Sequence, residues 1–449
     1  MPFTSPFFLS IILPTLVGGY FLVPRSWRTP FLLCFSLLFY LWIEPIAFFV
    51  MVALAATNYG LAKLAEKRKS LALASAIAID VGTLLLFKYN RMAIAVLGIG
   101  LPGFAMAAGM SFYIFQLISY VVDVGGKKTK AGSFVDLLLY VCFLPKVPCG
   151  PIARFVEFSG NSCDAGCRNV ASGFRLFFTG LAKKALIADM LARVVDPVFD
   201  TPVTQIPCAY CWLGAVSYSL QIYFDFSGYS DMAIGLARIF NYKLPVNFDF
   251  PYASRSLQEF WRRWHMSLSF WFRDYLYIPL GGSRCGVARA CLNTMIVFVL
   301  CGMWHGSSLT FVIWGAIHGL VLVFERLWLR KVLTKSPSVL ANAYLLFVVG
   351  IGWVFFRSPS IGFATAFLKN MFCGNVAAHA VDFVVAAKFT TYGEALILSV
   401  ALAGAFPAGW RLLSRLDKWT RGVFFAIVAA LAYIFAMTGT VAPGIYENF

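Results

Sequence analysis

The sequence predicts an all-α, polytopic membrane protein with roughly eleven transmembrane helices plus re-entrant or interfacial ones. Two observations carry that prediction. Hydrophobic residues make up 60% of the chain and charged residues 13%, with a mean hydropathy of +0.78, a balance that no soluble chain of 449 residues keeps in water. Apolar runs long enough to cross ~30 Å of hydrocarbon also recur along the whole length, and they lack the period-two alternation of a membrane barrel.

Taken in order, the run at 7–23 contains Pro14 and Gly18 and has no basic segment before it, so it reads as a retained span and not a cleaved signal peptide. The run at 30–42 leads into a hairpin that turns near Glu44-Pro45. Arg25 and Arg28 on one side of that hairpin and the lysines of 63–69 on the other put the N-terminus outside. The run at 71–87 follows, and beyond Lys88 and Arg91 the charge count no longer fixes orientation. Runs at 338–356 and 423–437 complete the clearest set. No polar linker, low-complexity tract or internal repeat divides the chain, which predicts a single integral domain over 1–449. The missing half-chain repeat argues against the transporter folds built from repeated halves.

The formal charge of +17 sits in short clusters between apolar runs, among them Arg25/Arg28, 67–69, 127–130 and Arg330/Lys331. This pattern fits cytoplasmic loops and anionic lipid and excludes nucleic acid as the partner. Of the 11 cysteines, Cys34, Cys142 and Cys301 fall inside spans as packing residues. Cys163/Cys167 and Cys208/Cys211 are spaced for a disulfide or a metal, but no histidine lies near either pair, and no metal is expected.

Polar and charged residues crowd into 218–277, with Asp225, Asp231, Asn247, Asp249, Glu259, Arg262, Arg263, His265, Arg273 and Asp274 in a chain otherwise poor in charge. At membrane depth such residues face a cavity or a protein interior. The segment EFWRRWHMSLSFWFRDYLY (259–277) predicts one amphipathic helix, with Trp261, His265, Leu268, Phe272 and Tyr275 on one face and Arg262, Met266, Ser269 and Arg273 on another. It has a plainer reading as a surface helix with arginine heads among phosphates. His305 lies in CGMWHGSS, where small neighbours permit close approach and Trp304 supplies a rigid wall. Its imidazole is either a general base or a packed, satisfied group. His318 is expected to be structural, with tuning of the site as the alternative, and His379 to be bystander surface. No phosphate-binding glycine loop, HExxH or hydrolase elbow occurs.

The stretch from YFDFSGYS (223–230) through 259–277, followed by MWHGSS (303–308), resembles the membrane-bound O-acyltransferase (MBOAT) family, and within it the alginate O-acetyltransferase branch. MSFYIFQLISYVVDV (110–124), FLPKVPCGPIARF (143–155), GLAKKALIAD (180–189) and GWVFFRS (352–358) extend the resemblance over nearly the whole chain. It implies helices around a central funnel, a catalytic core at about 210–325, and acyl transfer where a cytosolic donor meets an outside acceptor. His305 matches the family's Trp-His-Gly histidine and His265 its second, upstream polar position.

The expected mechanism has His305 as general base on a hydroxyl and His265 orienting or polarising the thioester carbonyl, with an acyl-His305 route as competitor. Arg262 and Arg263 are expected to hold donor phosphates, and Trp304, Asp225, Tyr229 and Asp274 to line the substrate site. No bound cofactor is expected. The resemblance implies acetyl-coenzyme A as donor substrate and the bacterial cytoplasmic (inner) membrane as the setting. Its implied partners are membrane lipid, an extracytoplasmic SGNH-type acetyltransferase or other acceptor protein, and an exported polysaccharide. D-alanyl or other acyl transfer, transport of an acyl carrier without chemistry, and a scaffold role are the alternatives. The sequence departs from the branch in its shorter length, in GGKKTK (125–130) where an aromatic-Arg-Gly turn is usual, and in the Cys163/Cys167 stretch, which leaves the acceptor open.

Overall fold

A computed structural model of the protein describes residues 2–97, 107–159, 167–374, 392–438 and 444–445. Among these residues the regular structure is helical. A π-helical turn at Phe8–Ile12 leads into α1 (Leu13–Leu22), α2 (Arg28–Ile43), α3 (Pro45–Ala65), α4 (Lys69–Leu97), α5 (Met110–Gly125) and α6 (Phe134–Cys142). There follow α7 (Cys167–Ala182), α8 (Asp189–Asp200), the long α9 (Cys208–Ile239), α10 (Leu257–Trp261) and α11 (Met266–Phe272). Next come α12 (Val287–His305), α13 (Leu309–Phe324), α14 (Ser338–Arg357), α15 (Ile361–Cys373), α16 (Tyr392–Gly404), α17 (Pro407–Ser414) and α18 (Lys418–Met437).

Seven helices among the described residues are long and apolar enough to span a bilayer, or eight if the bent pair α16–α17 counts as one span. Roughly eleven spans were expected. Three other apolar helices, Phe8–Leu22, Met110–Gly125 and Ile361–Cys373, are shorter. Length alone separates them from spans, since about 20 residues are needed at 1.5 Å each.

The chain divides into two compact units, one comprising 1–181, 228–246 and 433–449, the other 182–227 and 247–432. In the first, Glu44 has a non-helical backbone and Pro45 occupies the first position of α3, where its missing N–H costs nothing, so the α2–α3 turn falls where the sequence places it. Asn58 on α3 donates to Asp80 on α4 at 2.9 Å, both fully buried. Gly109 starts α5 with φ +79°, and a Cβ there would overlap the Val147 carbonyl, so only glycine fits. A reciprocal Ser133/Asp136 capping box starts α6. Lys146 is fully buried, donating to Gln116 at 2.8 Å with its Nζ 3.8 Å from the Tyr140 ring centroid. Where α7 crosses the last turns of α9, Gly173 and Gly180 meet Gly235 and Gly228 backbone to backbone.

In the second unit Lys184 bridges Asp225 (2.6 Å) and Asp189 (2.7 Å), all largely buried. Arg357 ties α14 to α8 through Asp196 (3.1 Å) and Asp200 (3.4 Å). After Asn247 comes an irregular stretch in which Pro251, Tyr252 and Ser254 are buried and Asp249 and Arg255 exposed. Asn342 donates to the carbonyls of Tyr252 (2.6 Å) and Ser254 (2.8 Å), Trp353 donates to the Tyr252 hydroxyl (3.1 Å), and that hydroxyl donates to the Ser219 carbonyl.

The single helix expected over 259–277 is corrected here. The segment breaks into α10, α11 and a π-helical turn at Arg273–Tyr277, and the break falls at His265, whose φ is +43°. A left-handed residue cannot continue a right-handed helix. Met266 N–H instead donates to the Asn247 carbonyl (2.9 Å), a tie from outside the helix.

The helices α12 and α13 form an antiparallel hairpin. Cβ atoms on Gly302 and Gly315 would come within 2.3 Å of the Phe311 carbonyl and 2.2 Å of the Phe298 carbonyl, so the two backbones touch. Only 306–308 join them, with Ser308 capping α13 through Thr310 N–H.

Candidate active site

His305 ends α12 and is 3% exposed. Four aromatic rings enclose it: Trp304 (centroids 4.7 Å apart), Trp314 and Phe356 (5.0 Å each) and Phe311 (6.4 Å). His265, 1% exposed, packs edge-on to Phe226 at 4.6 Å and lies 6.4 Å from the Trp304 ring. Trp304 therefore contacts both histidine rings. The Nδ1 of His265 is 3.1 Å from Asn247 Oδ1, which also accepts from Ser267 N (3.2 Å) and Ser267 Oγ (2.9 Å). Burial pushes the His265 imidazole down to about 3, so it stays neutral at physiological pH.

A cavity of about 900 Å³ opens in the same unit. Arg255, Arg262, Arg273, Arg326 and Arg330 line it, and all five are exposed. On α12 its wall is Thr294, Val297, Phe298 and Cys301, and Cys301 lies one helical turn before His305 on the same face. Trp261, Leu268 and Phe272 add an apolar side. The arrangement offers a charged, solvent-facing end for an anion and an apolar wall whose lining stops at Cys301, one turn short of His305.

Residues 20–361 match the profile of MBOAT, the membrane-bound O-acyltransferase family. The chain belongs to that family. This acyltransferase is 37% identical over 395 residues to a probable alginate O-acetylase of Pseudomonas syringae pv. tomato, covering 83% of this chain and 75% of the relative. It is 32% identical over 418 residues to a peptidoglycan O-acetyltransferase of Helicobacter pylori, covering 82% and 79%. Over 250 residues it is 27% identical to a teichoic acid D-alanyltransferase of Streptococcus thermophilus, covering 50% and 57%.

The MBOAT chain brings His265, Trp304 and His305 together, while Arg262 lines the cavity, whose wall includes none of those three. The other expected contacts lie elsewhere. Arg263, adjacent in sequence to Arg262, is bonded to Glu259 at 2.8 Å and sits 4.0 Å from Asp249, off the cavity wall. Asp225 is engaged by Lys184. Tyr229 stacks on Phe3 at 5.0 Å and belongs to the other unit. Asp274 accepts from Arg273 at 2.7 Å. His318 is a packing group in this structure, accepting from Trp261 Nε1 at 3.2 Å against Gly352. Cys208 and Cys211 are free thiols, the second accepting from Asn370 at 3.4 Å. His379 and Cys163 lie outside the described residues.

Sequence reasoning missed Asn247's contact with the histidine, the arginines at 255, 326 and 330, and Glu325. The last is 4% exposed and accepts from the backbone of Leu257 (2.6 Å) and Gln258 (3.1 Å) and from the Tyr344 hydroxyl (3.2 Å). Its signal was a glutamate followed by Arg326 at the end of an apolar run, which reads equally well as an ordinary interfacial charge pair.

Proposed function

We propose that this multi-pass acyltransferase moves acetyl from acetyl-coenzyme A, entering from the cytosol, to a hydroxyl beyond the bacterial cytoplasmic membrane, for O-acetylation of an exported polysaccharide. The observation that carries this reading is the cavity: its arginines suit the donor's phosphates through charge-assisted hydrogen bonds, and its apolar wall climbs α12 to within a turn of His305. The hydroxyl oxygen attacks the thioester carbon, the C–S bond breaks, and His305 carries the hydroxyl proton to the departing thiolate sulfur. Such proton transfer contributes ~10²- to 10⁴-fold. The hydroxyl belongs to the polysaccharide itself or to a serine of an SGNH-type partner. Acetyl is favoured over D-alanyl because the acetyl-transferring relatives match 82–83% of the chain and the D-alanyl relative 50%.

The test is release of coenzyme A from acetyl-coenzyme A by the purified protein in detergent, with a soluble uronic-acid oligosaccharide as acceptor. Wild type is expected to turn over, folded His305→Ala to lose at least ~10²-fold, and Arg262→Ala to raise KM for the donor. A His305→Ala protein with full turnover would sink the base assignment.

A further inference from the structure

The proton on His265 can be located from its partner. Asn247 Oδ1 stands within hydrogen-bond distance of His265 Nδ1, Ser267 N and Ser267 Oγ. A backbone N–H can only donate, so the amide atom facing Ser267 N is the carbonyl oxygen, and this fixes which way the Asn247 amide points. An amide oxygen has no proton to give. The hydrogen in the bond to His265 therefore sits on Nδ1. The main chain of Asn247 is held to the same turn by Met266 N–H, so this orientation is locked at two points. Phe226 and Trp304 pack against the ring, and burial lowers its basicity. A neutral imidazole carries one proton, which leaves Nε2 with a lone pair.

We propose that Asn247 is a positioning residue that holds His265 in the Nδ1–H tautomer, so that Nε2 can only accept: His265 takes a hydrogen bond from a second donor group of the acyl acceptor, not from the attacking hydroxyl, and cannot polarise the thioester carbonyl. The functional half of this statement rests on the acyl transfer proposed above; the tautomer does not. The assignment reverses the carbonyl-polarising role expected of His265, since a nitrogen without a proton cannot donate to a carbonyl oxygen. It adds no covalent step: the attacking hydroxyl still yields its proton to His305.

Nitrogen-15 NMR of histidine-labelled protein in lipid nanodiscs tests the tautomer without any turnover. The His265 resonances are identified by their loss in His265→Gln. Between pH 6 and 8, wild type is expected to show a protonated Nδ1 and a bare Nε2; a protonated Nε2 would overturn the proposal. In Asn247→Ala the preference for Nδ1–H is expected to collapse, and its persistence would also overturn it. Asn247→Asp keeps an oxygen acceptor for Ser267 and so guards against misfolding. Its negative charge is expected to make His265 doubly protonated at higher pH than in wild type, and an unmoved titration counts against the contact. In the coenzyme A assay, Asn247→Ala is expected to raise KM for the oligouronate several-fold and leave KM for acetyl-coenzyme A unchanged, with Asn247→Asp restoring it at high pH. A rise confined to the donor would assign His265 to the thioester after all.

Discussion

Glu325 brings a carboxylate to two backbone amides at the start of α10, where helix geometry leaves N–H groups without intrahelical acceptors. A five-residue helix cannot hold itself together, so its place depends on such outside ties. Glu325→Ala strands both amides and the Tyr344 hydroxyl, at a cost of about 1–3 kcal/mol for buried groups left unsatisfied. Because α10 runs straight into Arg262, the variant is expected to lower the melting temperature in detergent and to raise KM for the donor, while Glu325→Gln, which keeps one oxygen, loses less. Thermal unfolding and donor kinetics on the same preparations check both. Residues of this kind explain where the sequence stopped being legible. His265 and His305 stood out because imidazole is rare in so apolar a chain. Arg262 and Arg263 could not be separated, because what distinguishes them is Glu259 reaching one of them. Glu325 escaped notice because its partners are backbone, which has no signature in sequence.

Helices were legible where one continuous apolar run makes one element, as in α2, α3 and α14, and illegible where a remote group interrupts the pattern. The wheel drawn over 259–277 failed because Asn247, eighteen positions before His265, captures Met266 N–H and the imidazole together. The α12–α13 hairpin shows the opposite case: its glycines are visible in sequence, and the structure gives their reason. A methyl on Gly315 would stand 2.2 Å from the Phe298 carbonyl, and backbone on both sides cannot yield as a flexible side chain would. Gly315→Ala is expected to cost roughly 1–3 kcal/mol and, by prying apart the pair that carries His305 at its end, to lower turnover more than stability. Gly350→Ala, with open space around its Cβ, is the control expected to change neither. Equal turnover in the two folded variants would refute the link between hairpin packing and the imidazole.

At the scale of the molecule, the seven or eight spans among the described residues and a charge of +17 leave orientation to the basic clusters. The five arginines around the cavity, with Lys331 and Lys335 beside them, form the kind of basic cluster that stays on the cytosolic side, which is where the proposed donor requires the open end to lie. A cysteine introduced as Arg330→Cys, followed at the peptide level in inverted and right-side-out vesicles, is expected to react with a membrane-impermeant maleimide only where the cytosolic face is outward. Labelling in right-side-out vesicles would place the arginines on the wrong side for a cytosolic donor. The fold class was legible at this scale because composition alone dictates the solvent. The division into two units was not, since 228–246 joins residues before 182 and no linker marks the crossing.

The short turn at 306–308 also bears on how the chain is made. With α12 and α13 joined by three residues and touching along their glycines, neither is complete without the other. A chain ending at Ser308 lacks Phe311 and Trp314 of α13 and Phe356 of α14, so the imidazole's surroundings are complete only once both later helices have been made. A turn of three residues between helices in backbone contact leaves the first little room to settle before the second, so an insertion longer than a few residues at 306–308 is expected to loosen the imidazole's enclosure.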